Sequence, residues 1–164
     1  MKKQIYTIEI KSFVVEELND AEKHLLERAQ KASAMAFAPY SAFLVGCAVL
    51  LENGEILTGN NQENASFPAG LCAERVALAY ANATYPDVSV QAVCIVAQLH
   101  GTFTAVPLSP CGICRQTLLE CENRFGKPIR LYMAGKDTVL QVDSVKDILP
   151  LHFDNQYLLD TLTE

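Results

Sequence analysis

Apolar positions recur along this chain in distinct rhythms, and each rhythm predicts a different element. In "LNDAEKHLLERAQKASAMAF", Leu25, Leu26, Ala29, Ala32, Met35 and Ala36 fall at helical spacing behind Asn19 and Asp20, residue types that cap a helix start. Pro39 stops that helix. "FLVGCAVLLENGEILTGN" then carries two strand-like runs joined by Asn53-Gly54, the strongest short hairpin signal. The loop "NQENASFPAG" follows, and from Cys72 the run "CAERVALAYANA" is rich in helix formers. "VQAVCIVAQL" is continuously apolar, the signature of a strand covered on both faces. "CGICRQTLLECENRF" predicts another helix that ends near Gly126 and Pro128. "PIRLYMAG" and "TVLQVDSV" read as strands separated only by "KD", too short for a parallel crossover, so they form a second hairpin.

Helix, two strands, helix, strand, helix, two strands is the order of an α/β, three-layer α-β-α sandwich on a mixed sheet of about five strands. The 164 residues, half of them hydrophobic, suit a single domain spanning 1–164. An N-terminal extension over 1–18 reads as an added strand or an arm. A C-terminal extension over 154–164 contains Leu158, Leu159 and Leu162 at the spacing of a short amphipathic helix. A net charge of −6 leaves no basic face to release counterions from a nucleic-acid polymer, so no such polymer is expected as a partner. No apolar run approaches the ~20 residues that cross a bilayer, which predicts no membrane association. The start "MKKQIYTIEIKSF" meets Glu9 and Lys11 too soon for a secretory segment, and a cytoplasmic location is expected.

Six cysteines would suit three disulfides in a small secreted chain. Cys47 and Cys94 instead sit inside apolar strand runs and Cys121 late in a helix, where free cysteine packs as a small hydrophobe. Cys72, Cys111 and Cys114 remain. All three fall where a loop enters a helix, and helix N-termini lower thiol pKa values and favour thiolates. Zinc takes thiolate ligands, and a C-x-x-C pair supplies two while a third arrives from another element. His24, His100 and His152 are out of ligand spacing, so no fourth protein ligand is evident. Three ligands with an open position are the catalytic arrangement, and a structural zinc module would need a fourth. Glu74, two residues after Cys72, places a carboxylate where a water's proton would be taken and passed to a substrate nitrogen. Alone it would read as a helix-dipole partner. Three thiolates over-neutralise Zn²⁺, and Arg75, or alternatively Arg115, is placed to donate to a thiolate sulfur and offset that charge.

"CAER" together with "SPCGICRQ" resembles the homotetrameric, three-cysteine class of cytidine deaminases. "APYSAFLVG", "NQENA" and "LPLHF" match that family in the same order, over about residues 24 to 153. The resemblance implies a cytidine deaminase-like fold, one zinc ion per chain on Cys72, Cys111 and Cys114, and Glu74 as the proton shuttle. It implies that Asn61 and Glu63 hold the ribose hydroxyl, that Phe43 packs near the pyrimidine and that Phe153 reaches into a neighbouring subunit's site. Taken without the family, Phe43 and Phe153 read as core aromatics. The implied reaction is zinc-dependent hydrolytic deamination of cytidine and 2′-deoxycytidine in pyrimidine salvage, by a homotetramer with sites shared between subunits. Gln62 stands where the family commonly carries an aliphatic residue. The competing readings are an antibiotic deaminase of the blasticidin type, which also carries C-A-E and P-C-G-x-C, a polymer deaminase, a structural zinc module and a thioredoxin-like pair at Cys111 and Cys114.

Overall fold

The computed structural model describes residues 1–159. Its elements are β1 (Lys11–Val14), α1 (Asp20–Ser33), β2 (Phe43–Leu51), β3 (Ile56–Asn60), α2 (Ala73–Thr84), β4 (Val90–Leu99), β5 (Thr102–Phe103), α3 (Gly112–Phe125), β6 (Arg130–Ala134), β7 (Thr138–Val142) and the short α4 (Gln156–Leu159). Asn19 caps α1 by accepting from the Glu22 N–H, while the Glu22 carboxylate accepts from the Asn19 N–H, a reciprocal capping box. Gly54, at φ 86°, supplies the left-handed backbone that the β2–β3 turn demands. Gly126 ends α3 in the same region.

The sheet runs β1-β7-β6-β4-β2-β3, with β5 pairing the end of β4. Its β4–β6 pair is parallel, bridged by α3, and the other pairs are antiparallel. The expected mixed sheet is therefore present, with seven strands among the described residues. The two additions are β1, a short edge strand built from the N-terminal extension on β7, and the two-residue β5. The helices divide between the two faces. Leu25, Leu26 and Ala29 of α1 pack on Ala48, Ala92, Cys94 and Val96, while α2 and α3 cover the opposite face through Ala77, Leu78, Leu118 and Leu119 on Val49, Val93, Ile95 and Leu131. Cys47, Cys94 and Cys121 are buried in these layers, in line with a packing role, and all six cysteines are free thiols. Among the described residues no helix is long and apolar enough to cross a membrane. Leu162 of the expected C-terminal helix lies outside the described residues.

Two glycines set how closely the helices approach. A Cβ on Gly46 would lie 2.1 Å from the Ala29 carbonyl of α1, and one on Gly59 would lie 2.4 Å from the Ala77 nitrogen and 2.7 Å from the Ala73 carbonyl of α2. The first turn of α2 thus lies directly on β3. Gly59→Ala is expected to push that turn off the sheet and destabilise the fold by about 1–3 kcal/mol. Urea unfolding checks this: the midpoint should fall at constant slope, and an unchanged midpoint would show that α2 shifts without cost.

Candidate active site

The two cysteine motifs meet because β3 and β4 deliver their helices to the same end of the sheet. Cys72 and Cys111 are the N-cap residues of α2 and α3, each in extended backbone, and neither side chain accepts a capping hydrogen bond. A position that normally holds serine, threonine or aspartate for capping is here occupied by an uncommitted sulfur. Cys72 Sγ lies 3.7 Å from Cys111 Sγ, which lies 3.4 Å from Cys114 Sγ. All three sulfurs fall within 4.8 Å of one another. A tetrahedral zinc ion with Zn–S bonds of about 2.3 Å requires sulfur–sulfur edges of about 3.8 Å, so the trio fits the ion with small adjustments.

Electrostatics favour an anionic sulfur at Cys72 and a protonated one at Cys114. The Cys72 thiol is pulled down to about 6, chiefly by hydrogen bonding from Cys114, with the Arg75 charge contributing in the same direction. Cys114 is pushed up, as the partner that keeps its proton, and by burial. Glu74 is the second residue of α2 and only 4% exposed. Burial pushes its carboxyl above the usual range, partly opposed by hydrogen bonds from its own N–H and from the Cys114 thiol. Burial thus makes this carboxyl hold its proton more readily than a solvated glutamate does.

Cys72, Glu74 and Cys111 line one side of a cleft of about 530 Å³, and Asn61 and Glu63 line another. Asn61 is fixed through both ends of its amide: Oδ1 accepts from the Val45 N–H at 2.7 Å and Nδ2 donates to the Phe43 carbonyl at 2.9 Å. Glu63 accepts from the Tyr40 N–H at 2.8 Å, the Ser41 N–H at 3.3 Å and the Ser41 hydroxyl at 2.5 Å. These bonds, the Ser41 hydroxyl first, hold its carboxyl below the usual range. Both side chains are held by local bonds before any ligand arrives. Gln62 between them also lines the cleft, its Nε2 donating to Asn60 Oδ1, while Asn60 Nδ2 donates to the Ala32 carbonyl at the end of α1. The polar residue at this unusual position therefore has a structural partner of its own.

Other expected residues are placed differently. Phe43 is half-buried against the core shared by α2 and α3, and Phe153 is exposed and stacked on Tyr157 with ring centroids 5.6 Å apart. Neither lines this chain's own cleft. Arg75 stands beside Cys72, whereas Arg115 donates to the Pro110 and Ile148 carbonyls and so is committed to backbone. Tyr40 and Phe67, which the sequence reading did not single out, supply the aromatic lining and meet edge to face at 6.2 Å. Their signal lies in the motifs themselves: Tyr40 opens "YSAF", and Phe67 directly follows "NQENAS".

A cleft with a buried carboxylate beside three convergent thiols, at one end of an α-β-α sandwich, defines the class: a zinc-dependent hydrolytic enzyme. The model of the cytidine and deoxycytidylate deaminase zinc-binding region matches residues 19–125, which contain all three thiols and Glu74. The cytidine deaminase of Halalkalibacterium halodurans is 34% identical over 138 residues, covering 83% of this chain and 96% of that one. The cytidine deaminase of Sporosarcina psychrophila is 36% identical, covering 85% and 95%. The crystal structure of cytidine deaminase from Burkholderia pseudomallei superposes with a TM-score of 0.65 at 36% identity, covering 80% of this chain and 98% of that one. The chain belongs to the cytidine and deoxycytidylate deaminase family, and zinc is its cofactor.

Proposed function

We propose that this chain deaminates cytidine and 2′-deoxycytidine to uridine and 2′-deoxyuridine with release of ammonia. The observation that carries the reading is the placement of Glu74, buried against the three thiols and open to the cleft. Cys72, Cys111 and Cys114 would hold the zinc ion, which supplies a Lewis acid that brings the pKa of a water near neutrality. Glu74 takes a proton from the water that attacks C4 of cytosine and delivers it to N3. It then carries a second proton to the amino group as the C4–N bond breaks, leaving a C4 carbonyl and ammonia. Asn61 and Glu63 hold the ribose hydroxyl from two sides, an amide and a carboxylate matching its donor and acceptor. Arg75 offsets the excess negative charge on the sulfurs. Phe43, behind the cleft wall, supports the pyrimidine end.

Exposed Phe153, together with Phe67 at 78% and Ile113 at 64% exposure, supports an assembly in which neighbouring copies cover these apolar side chains, a homotetramer with shared sites. The setting we infer is pyrimidine salvage in the cytoplasm, with residues 1–18 and 154–164 flanking one catalytic domain. Purified, zinc-quantified protein mixed with cytidine or deoxycytidine should lose the cytosine absorbance with about one zinc per chain. Bound zinc without turnover on either nucleoside would overturn the reading in favour of the antibiotic-type deaminase.

A further inference from the structure

The helix that carries two of the three thiols also holds the segment that ends in Phe153. Arg115 folds back over its own turn: Nε donates to the Pro110 carbonyl at 2.9 Å, immediately before Cys111, and Nη1 donates to the Ile148 carbonyl at 2.8 Å. Gln116 Nε2 donates to the Phe153 carbonyl at 2.8 Å. Two turns along the same helix, Glu122 is 4% exposed and accepts from the Val145 N–H, the Ser144 hydroxyl and the Ile129 N–H, which fixes where the segment begins. Residues 144–153 are therefore pinned to α3 at their start, middle and end. Leu151, between the last two pins, sits at φ 57° with an exposed side chain, a left-handed backbone that a branched residue adopts only where its surroundings impose it.

We infer that Arg115 and Gln116 are positioning residues that couple zinc binding at the α3 N-terminus to the ordering of residues 148–153 and hence to the presentation of Phe153. This rests on the metal site read above. Zinc fixes Cys111 and Cys114, which fixes the turn from which Arg115 and Gln116 project. Neither of the two side chains bonds to a sulfur, so their effect on the metal has to pass through backbone. A coupling of this kind is reciprocal: if zinc orders the segment, loosening the segment must weaken zinc.

The test uses the full chain and reads two quantities other than activity: amide hydrogen exchange of residues 148–153 and zinc affinity from chelator competition. In the unsubstituted protein, removing zinc should speed exchange in 148–153 by about fivefold or more, the lower end of ordinary coupling. Gln116→Met keeps the side chain's length and removes only the bond to Phe153, and zinc-loaded Gln116→Met should show the same faster exchange with zinc affinity lowered about 3- to 10-fold. Arg115→Lys, which keeps the charge but not the two-carbonyl bracket, should do the same to a greater degree. Faster exchange in Gln116→Met with unaltered zinc affinity would overturn the coupling and leave Gln116 a local structural residue. Exchange in 148–153 that ignores zinc removal would overturn it as well. A protein that binds no zinc at all would instead refute the metal site itself, a separate result read in the same titration.

Discussion

Glu74→Gln is expected to lower kcat by a factor of a thousand or more while leaving zinc content near one per chain and nucleoside affinity within about threefold. The reason lies in what the substitution removes. Glutamine has nearly the shape of glutamate, fills the same buried site in the first turn of α2, and still presents an oxygen and a donor to the cleft. It cannot accept and return a proton. General acid-base catalysis contributes typically 10²–10⁴-fold per group, and in the proposed reaction one carboxyl serves two successive transfers, at N3 and at the leaving amine. In the proposed reading nucleoside binding rests on Asn61, Glu63 and the aromatic lining, whose own bonds do not involve Glu74. Single-turnover measurements with quantified zinc separate the two effects, and a variant keeping a tenth of the native kcat would end the assignment. The raised carboxyl also gives a sign for the pH dependence. As a base, Glu74 must be ionised, so kcat/KM should fall on the acid side, with a midpoint above the ordinary carboxylate value of about 4.5 because burial favours the protonated form. That acid limb should vanish from the residual activity of Glu74→Gln.

Local signals in the sequence were sufficient wherever the structure is locally determined. Asn19 and Glu22 close a capping box within one turn, Asn53-Gly54 closes a hairpin, and the apolar run over 90–99 became the central strand β4 because nothing polar interrupts it. The metal residues were legible for a related reason: C-x-x-C spacing places both sulfurs on one helical turn, and only Cys72 had to arrive from elsewhere. What was not legible depends on distant partners. The added strand read as one option for residues 1–18 is present as β1, but its partner was hidden: Lys11–Val14 meets Thr138–Gln141 across the whole chain, and nothing in four residues announces that pairing. β5 requires the left-handed pair His100 and Gly101 to fold two residues back onto β4. Glu122 carries no local signal of its role within "CGICRQTLLECENRF". It becomes a buried anchor only because the Ile129 and Val145 N–H groups converge on it. The separation of Phe43 from the cleft lining follows the same logic, since a residue at the start of β2 has its facing decided by the β4 register, Phe43 opposite Leu99.

Cys111→Ala should release the zinc and lower thermal stability, and the two effects should prove to be one. With a ligand gone, the site keeps Cys72 and Cys114, two sulfurs from different helices, and zinc content is expected to fall below about a tenth per chain. Loss of a ligand that binds only the folded state costs RT ln(1 + [L]/Kd), about 4 kcal/mol when the native site is filled at a thousand times its Kd. For a chain of this size each kcal/mol moves the melting midpoint by roughly 2–4 °C, so a drop on the order of 10 °C is expected. The alanine itself adds little, because Cys111 is exposed and its thiol caps nothing. The decisive comparison is with the native chain stripped by a chelator. If zinc linkage is the whole effect, the stripped native protein and Cys111→Ala should melt within about 2 °C of each other, and added zinc should restore only the former. The core on both sheet faces, closed by Leu118, Leu119, Ile95 and Leu131 without help from the metal, predicts that both still fold cooperatively. A variant that keeps stoichiometric zinc, or that melts far below the stripped native chain, would mean that the metal site or the packing around Cys111 has been wrongly assigned.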